Sequence, residues 1–202
     1  EKIIAKDSSN VQALYNLGSI YETDKPIQAL EIYNKLLNKT GPEWNVLIKI
    51  AELNERLGNE EETIKTIEEL LEFNPSSAEI KKLLIEAYIK TDKDEKALTL
   101  VEDMKTLYPD DLSIKEYEAK LAVKNENWHK AAELYKPVIE SDKVNFEAKV
   151  NIGMLFVNKC MEDSSLVPQT KELFNVMDKD STHWQVKAYL AELALHEEDD
   201  SS

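Results

Sequence analysis

Pro75 and Pro109 stand 34 residues apart, and the stretches before them superimpose without a gap; that recurrence constrains the fold more than any other feature of the chain. Leu47-x-x-Ile50-Ala51-x-x-Asn54 lies over Lys81-x-x-Leu84-Ile85-x-x-Tyr88, and Thr63-x-x-x-Ile67-x-x-Leu70 lies over Ala97-x-x-x-Val101-x-x-Met104. The same step leads forward to Ala131-x-x-x-Tyr135-x-x-Val138 and back to Ala29-x-x-x-Tyr33-x-x-Leu36, before Gly41-Pro42. One residue out of step, it reaches Leu14-x-x-Leu17-Gly18-x-x-Tyr21. Each unit holds two apolar stripes at i, i+3, i+4, i+7 spacing, the period of a helix, joined by a short polar turn. One such pair cannot cover both stripes, so units must stack, about three or more of them.

Composition agrees with an all-helical chain and removes several functions. Of 202 residues 42% are hydrophobic, and the 4 Gly and 6 Pro are too few for a protein that turns every ten residues or so. With 25 Lys+Arg against 40 Asp+Glu the net charge is −15, which repels nucleic-acid phosphate, and Arg56 is the single arginine. Nucleic-acid binding is therefore not expected. Membrane insertion is not expected either, since no run approaches the ~18–20 apolar residues of a membrane span. Cys160 stands alone, so no internal disulfide can form.

The repeated residues resemble the tetratricopeptide repeat, whose pattern is W-x2-L-G-x2-Y, then A-x3-F-x2-A, then P, over about 34 residues. Repeats fall at about 11–42, 43–75, 76–109, 110–143 and 144–182. The first fits best, with Leu17-Gly18, Tyr21, Ala29 and Tyr33 in place, although it is one residue short at Asp24-Lys25-Pro26. Pro26 suits the first turn of a second helix, where its missing N–H has no helical partner. The fifth carries Ile152-Gly153, Phe156, Phe174 and Met177, with about five extra residues between Cys160 and Val167. In the fourth, Glu118 falls where the leucine belongs and Lys143 where the proline belongs, while the second helix from Trp128 to Ile139 still fits. The resemblance implies an all-α, right-handed α-α superhelix, a solenoid of stacked antiparallel helix pairs. Small residues (Gly18, Ala51, Gly153, Ala29, Ala97, Ala131) would sit where helices approach closely, and Tyr21, Tyr33, Tyr88, Phe156 and Phe174 would fill the space between pairs.

Both ends extend the pattern. Ile3 and Ile4 align with Leu36 and Leu37, so residues 1–10 are expected to be the end of a truncated upstream repeat. Trp184, Leu190, Ala191 and Ala194 repeat the first-helix spacing once more, which predicts a capping helix over 183–196 with a polar outer side. An acidic disordered tail over 197–202 is expected to follow.

In a solenoid of this kind the first helices line a concave groove. The matching positions are Tyr15, Ser19 and Glu22; Ile48, Glu52 and Glu55; Lys82, Glu86 and Ile89; Glu116, Lys120 and Val123; and Val150, Met154 and Val157. That groove would be acidic toward its N-terminal end and apolar around Val123, Val150, Met154 and Val157, where a flexible methionine suits an adaptable surface. Packing of these four against the long fifth-repeat loop or the Trp184 helix is the other reading. A carboxylate clamp needs Lys and Asn at positions held here by Tyr15, Ser19 and Ile48, so that mode is not expected. The cluster Glu60-Glu61-Glu62 with Glu68, Glu69 and Glu72 reads first as a solvated helix face, and second as an acidic docking patch.

No catalytic chemistry is expected. His129, His183 and His196 lie apart, without metal-ligand spacing, Cys160 has no histidine near it in sequence, and no cofactor is called for. The function expected is a non-catalytic scaffold that holds a peptide or helix of another protein, one with apolar and basic residues. The alternative is a regulatory or substrate-recruiting arm of a larger enzyme, and self-association is a further possibility. The compartment stays open, with the cytoplasm favoured over the periplasm.

Overall fold

The structure, a computed structural model, describes residues 10–178 and 183–200. Ile3 and Ile4, read above as the end of an upstream helix, lie outside the described residues, as do residues 201–202. Eleven α-helices and one 3-10 turn follow in order, with no strand among the described residues: α1 Val11–Tyr21, α2 Pro26–Thr40, α3 Trp44–Leu57, α4 Glu60–Phe73, α5 Ala78–Lys90, α6 Asp94–Leu107, α7 Leu112–Lys124, α8 Trp128–Glu140, α9 Phe146–Cys160, the 3-10 turn Ser164–Leu166, α10 Val167–Asp178 and α11 Trp184–Asp200. The chain divides into two compact halves, Glu1–Leu100 and Val101–Ser202.

Local chemistry sets the helix ends. Asn10, Ser77, Asp111, Asn127 and Asn145 each accept a hydrogen bond from a backbone N–H in the first turn of the helix that follows. Such a cap satisfies a donor the helix itself leaves unpaired, worth about 1 kcal/mol. Pro26 opens α2 at its first position. Between the two helices of a repeat, a left-handed residue recurs with the 34-residue beat: Gly58 (φ 73°), Asp92 (φ 57°) and Glu126 (φ 56°). Just after each, a backbone N–H reaches back into the preceding helix, Asn59 to Asn54 O at 2.9 Å, Lys93 to Tyr88 O at 2.9 Å and Asn127 to Ala122 O at 2.8 Å. The one-residue-short first repeat makes this turn another way, with Lys25 N donating to Tyr21 O at 2.8 Å and Lys25 at φ −140°.

In the N-terminal half α1 packs on α2 and α3 on α4, and each second helix also packs on the next first helix, α2 on α3 and α4 on α5. Leu14, Ala29, Tyr33, Leu36, Val46, Ile50 and Leu53 form its core around α1 to α3. Gly18 is there because a β-carbon would lie 2.8 Å from the Tyr33 ring. The C-terminal half repeats that contact: at Gly153 a β-carbon would lie 2.6 Å from Phe174 Cζ. Here α7 packs on α8, α9 and α11 pack on α10, and α8 packs more on α10 than on α9. The core gathers Tyr135, Phe156, Leu166, Phe174, Met177, Val186 and Leu193. Each large side chain buried there contributes roughly 1.5–3 kcal/mol.

Two departures from the repeat acquire a reason. Glu118, in the leucine position of the fourth repeat, is buried and lies 2.8 Å from Lys105 Nζ and 3.0 Å from Lys130 Nζ. Burial by itself would raise its carboxyl, but the two lysines outweigh that and hold it below the usual carboxylate range. The extra residues of the fifth repeat form the 3-10 turn, which brings Leu166 and Val167 into the core beside Cys160. The last helix corrects the expectation for the C-terminus: α11 continues through residues 197–200 instead of fraying at 197. Its outer side is mixed, with Trp184 74% and Leu195 65% exposed beside the exposed Lys187 and Glu192.

Candidate functional site

In the N-terminal half the expected groove positions meet two kinds of surroundings. Tyr15 and Glu22 on the α1 side are half-buried and tied to the fold: Tyr15 sets its ring edge-on to Tyr33 at 5.8 Å, and Tyr33 Oη donates to Glu22 at 2.5 Å. Burial and the Glu22 carboxylate both push the Tyr33 phenol above its ordinary range. Lys49 of α3 bridges Glu52 (3.0 Å) and Glu22 (3.3 Å), and Arg56 donates to the Glu22 carbonyl at 3.1 Å. The hydrogen bond that Lys49 donates to Glu52, followed by the Glu22 charge, raises the Lys49 ammonium against the opposing effect of burial. The carboxylates of Glu22 and Glu52 are thus partly answered from within the chain. Ser19 is exposed and Ile48 half-buried.

Glu55 and Glu86 come together at a pocket of about 160 Å³ between α3, α4 and α5. Thr63, Ile67, Leu83 and Ala87 line it with apolar surface, while Glu60, Lys90 and Thr91 complete the rim. Glu60 pairs with Lys90 at 3.3 Å on the rim of this apolar lining. Lys82 and Ile89, on the same helix as Glu86, are half-buried outside that lining.

A second cavity of about 490 Å³ lies where α2, α3 and α4 meet, lined by Leu30, Leu37, Leu47, Ile50 and Asn54 and rimmed by Asn34, Asn38, Glu62, Lys65 and Glu69. Asn54, 3% exposed, stands in this lining where the first and third repeats carry Tyr21 and Tyr88. The amide is far smaller than a tyrosine ring, and its Oδ1 is taken by Asn59 at 3.0 Å. The sequence signal for this cleft is the replacement of the repeat's tyrosine by Asn54.

The acidic run of the second repeat is more paired than a simple solvated face. Glu60 and Glu61 meet Lys90 and Lys93, and Glu68 accepts from Tyr88 Oη at 2.6 Å with Lys96 at 3.4 Å. The Tyr88 bond, then Lys96, lowers the Glu68 carboxyl despite its partial burial.

In the C-terminal half the apolar positions divide. Val157 is 6% exposed and belongs to the core, and Val123 and Val150 pack against that core, so the packing alternative describes these three. Met154 remains 39% exposed. Glu116 and Lys120 pair within α7 at 2.7 Å, and the Lys120 ammonium lies 5.6 Å from the Tyr117 ring centroid.

No cluster of three metal-binding side chains occurs among the described residues. Cys160 is 1% exposed, contacts Thr170 Oγ1 at 3.2 Å, and has its thiol pushed up by burial, the opposite of what a nucleophile needs. His129 is exposed in the first turn of α8, and His183 stacks on Phe146 at 3.6 Å. No described helix is long and apolar enough to cross a membrane.

The chain has the all-α superhelical repeat fold of tetratricopeptide-repeat proteins. A tetratricopeptide repeat protein from Parabacteroides merdae ATCC 43184 is 16% identical over 95% of this chain and 88% of its own, with a TM-score of 0.64. MamA from Desulfovibrio magneticus RS-1 (residues 41 to the end) is 12% identical over 87% and 98%, with a TM-score of 0.62. YrrB, described as a TPR protein with an unusual peptide-binding site, is 14% identical over 95% and 96%, with a TM-score of 0.60. The family model "Bacterial transcriptional activator domain" matches residues 43–126, under half of the chain. No curated protein sequence matches it.

Proposed function

We propose that the chain is a non-catalytic protein-interaction scaffold and that the pocket between α3, α4 and α5 takes a Lys or Arg side chain of a partner peptide. The observation that carries this reading is the convergence of Glu55, Glu60 and Glu86 on the apolar lining of Ile67, Leu83 and Ala87. The stem of a long basic side chain lies along apolar surface while its charged head meets carboxylates. A space of about 160 Å³ suits one side chain better than a small-molecule substrate, for which pockets of ~300–1,000 Å³ are usual. The peptide-binding site named for YrrB supports the reading by analogy of fold alone.

The test is fluorescence anisotropy with a labelled peptide alternating Lys and Leu, set against its Lys→Glu counterpart. The basic peptide is expected to bind at least tenfold tighter, about 1.4 kcal/mol, and to weaken as salt is added. Glu55→Lys together with Glu86→Lys should remove that preference while leaving the thermal melt in place. Equal binding of both peptides, or a double variant that binds like the original, would remove the pocket from the account.

A regulatory arm of a larger protein is the second reading, and the transcriptional-activator model over residues 43–126 favours it. The net charge of −15 places any nucleic-acid contact on another part of such a protein.

A further inference from the structure

Helix α11 is apolar on two opposite sides. Its inner side is used: Val186 and Leu193 are buried, and Tyr189 stacks on Phe174 at 5.1 Å. Its outer side carries Trp184, Ala188, Ala191 and Leu195, all exposed, at intervals of 4, 3 and 4 residues. Successive steps of about 100° keep these four within a narrow stripe along the helix. A helix apolar on both faces is one that is built to be covered on both.

The intervals are those of a heptad seam, with Trp184 and Ala191 at one core position and Ala188 and Leu195 at the other. On that register Lys187 and Glu192, both exposed, flank the seam on opposite sides. In a parallel pair of such helices the flanking position of one chain meets the opposite flank five residues on in the other. Lys187 of each copy then meets Glu192 of its mate, twice by symmetry. An antiparallel pair would instead bring Lys187 toward Lys187 and Glu192 toward Glu192. The small Ala188 and Ala191 let the two axes approach, while Trp184 and Leu195 fill the ends of the contact.

We propose that α11 is a self-association surface, pairing in parallel with α11 of a second copy of this chain through the Trp184–Leu195 stripe. Three turns of helix bury less than the ~1,200 Å² of a lasting complex, so the pairing is reversible and depends on concentration. It is independent of the peptide pocket on α3 to α5.

Sedimentation of the full chain over a wide concentration range tests this. The average mass should rise from 23.2 kDa toward twice that value as concentration increases. Trp184→Glu should hold it at the monomer mass; because that side chain is 74% exposed, the variant should melt like the original, which separates lost pairing from lost folding. Lys187→Glu and Glu192→Lys should each weaken association at least fivefold, and the two together should restore it. A single monomer mass at every concentration, or a Trp184→Glu chain that associates unchanged, would overturn the surface. A double charge swap without recovery would overturn the parallel pairing.

Discussion

A methyl group on Gly153 would meet the Phe174 ring at 2.6 Å, and one on Gly18 would meet the Tyr33 ring at 2.8 Å. Neither ring can move aside freely, since Tyr33 and Phe174 are both fully buried. Gly153→Ala is therefore expected to cost about 1–3 kcal/mol in a denaturant titration, the usual range for overpacking. Combining it with Phe174→Leu should cost less than the sum of the two single changes, because the leucine gives the methyl room. Gly58 acts through its backbone instead. With φ at 73° and open space around it, Gly58→Ala meets no neighbour but must hold a left-handed conformation. We expect a loss of about 1 kcal/mol. These two glycine types were legible in different degrees: Gly18 and Gly153 by their place in the repeat, Gly58 only as a turn residue. The equivalence of Gly58, Asp92 and Glu126 was not legible, because three chemically unrelated residues share one φ.

At the level of helices and their pairing, Glu118 gives α7 and α8 a pH-dependent link. Its carboxyl titrates below the usual value of 4.5 in the folded chain. The stabilisation is thus fully present above the unfolded value and is lost as pH falls from about 4.5 through the folded one. Glu118→Gln should lower stability at pH 7 by about 1–2 kcal/mol and flatten this part of the acid melt, with the gap between variant and original closing as pH falls below 4.5. Glu118→Leu, the residue the repeat calls for, should be neutral or stabilising at pH 7, since Lys105 and Lys130 are about half-exposed and can return to water. Sequence periodicity identified the helix pairs because buried apolar positions recur at a fixed spacing. It leaves Val157 open between groove and core, because its spacing is the same whether the valine lines an open surface or packs inward. In this chain Val157 packs inward, in one cluster with Phe156, Phe174 and Met177. The outer face of α11 is hard to read for a related reason: Trp184, Ala188, Ala191 and Leu195 keep the same helical spacing whether they face a core or solvent.

For the molecule taken as one polyelectrolyte, the excess of 15 acids sets behaviour that no single contact does. The sequence pI of about 4.7 implies a solubility minimum near that pH, measurable by turbidity, where mutual repulsion vanishes and the exposed apolar residues are free to associate. Below that point, as pH falls past 4.5, the Glu118 link is lost as well, so stronger acid should also loosen the C-terminal half. Fold class was readable from repetition, whereas the pocket was not, because it depends on which side chains from three helices converge. The lone thiol offers a way to follow such loosening. Cys160 is sealed beneath the Ser164–Leu166 turn and held against Thr170, so a thiol-reactive dye in excess can label it only after that corner opens. The labelling rate, compared with that of free cysteine, converts into the free energy of the opening, making the molecule its own stopwatch for local breathing without any introduced probe.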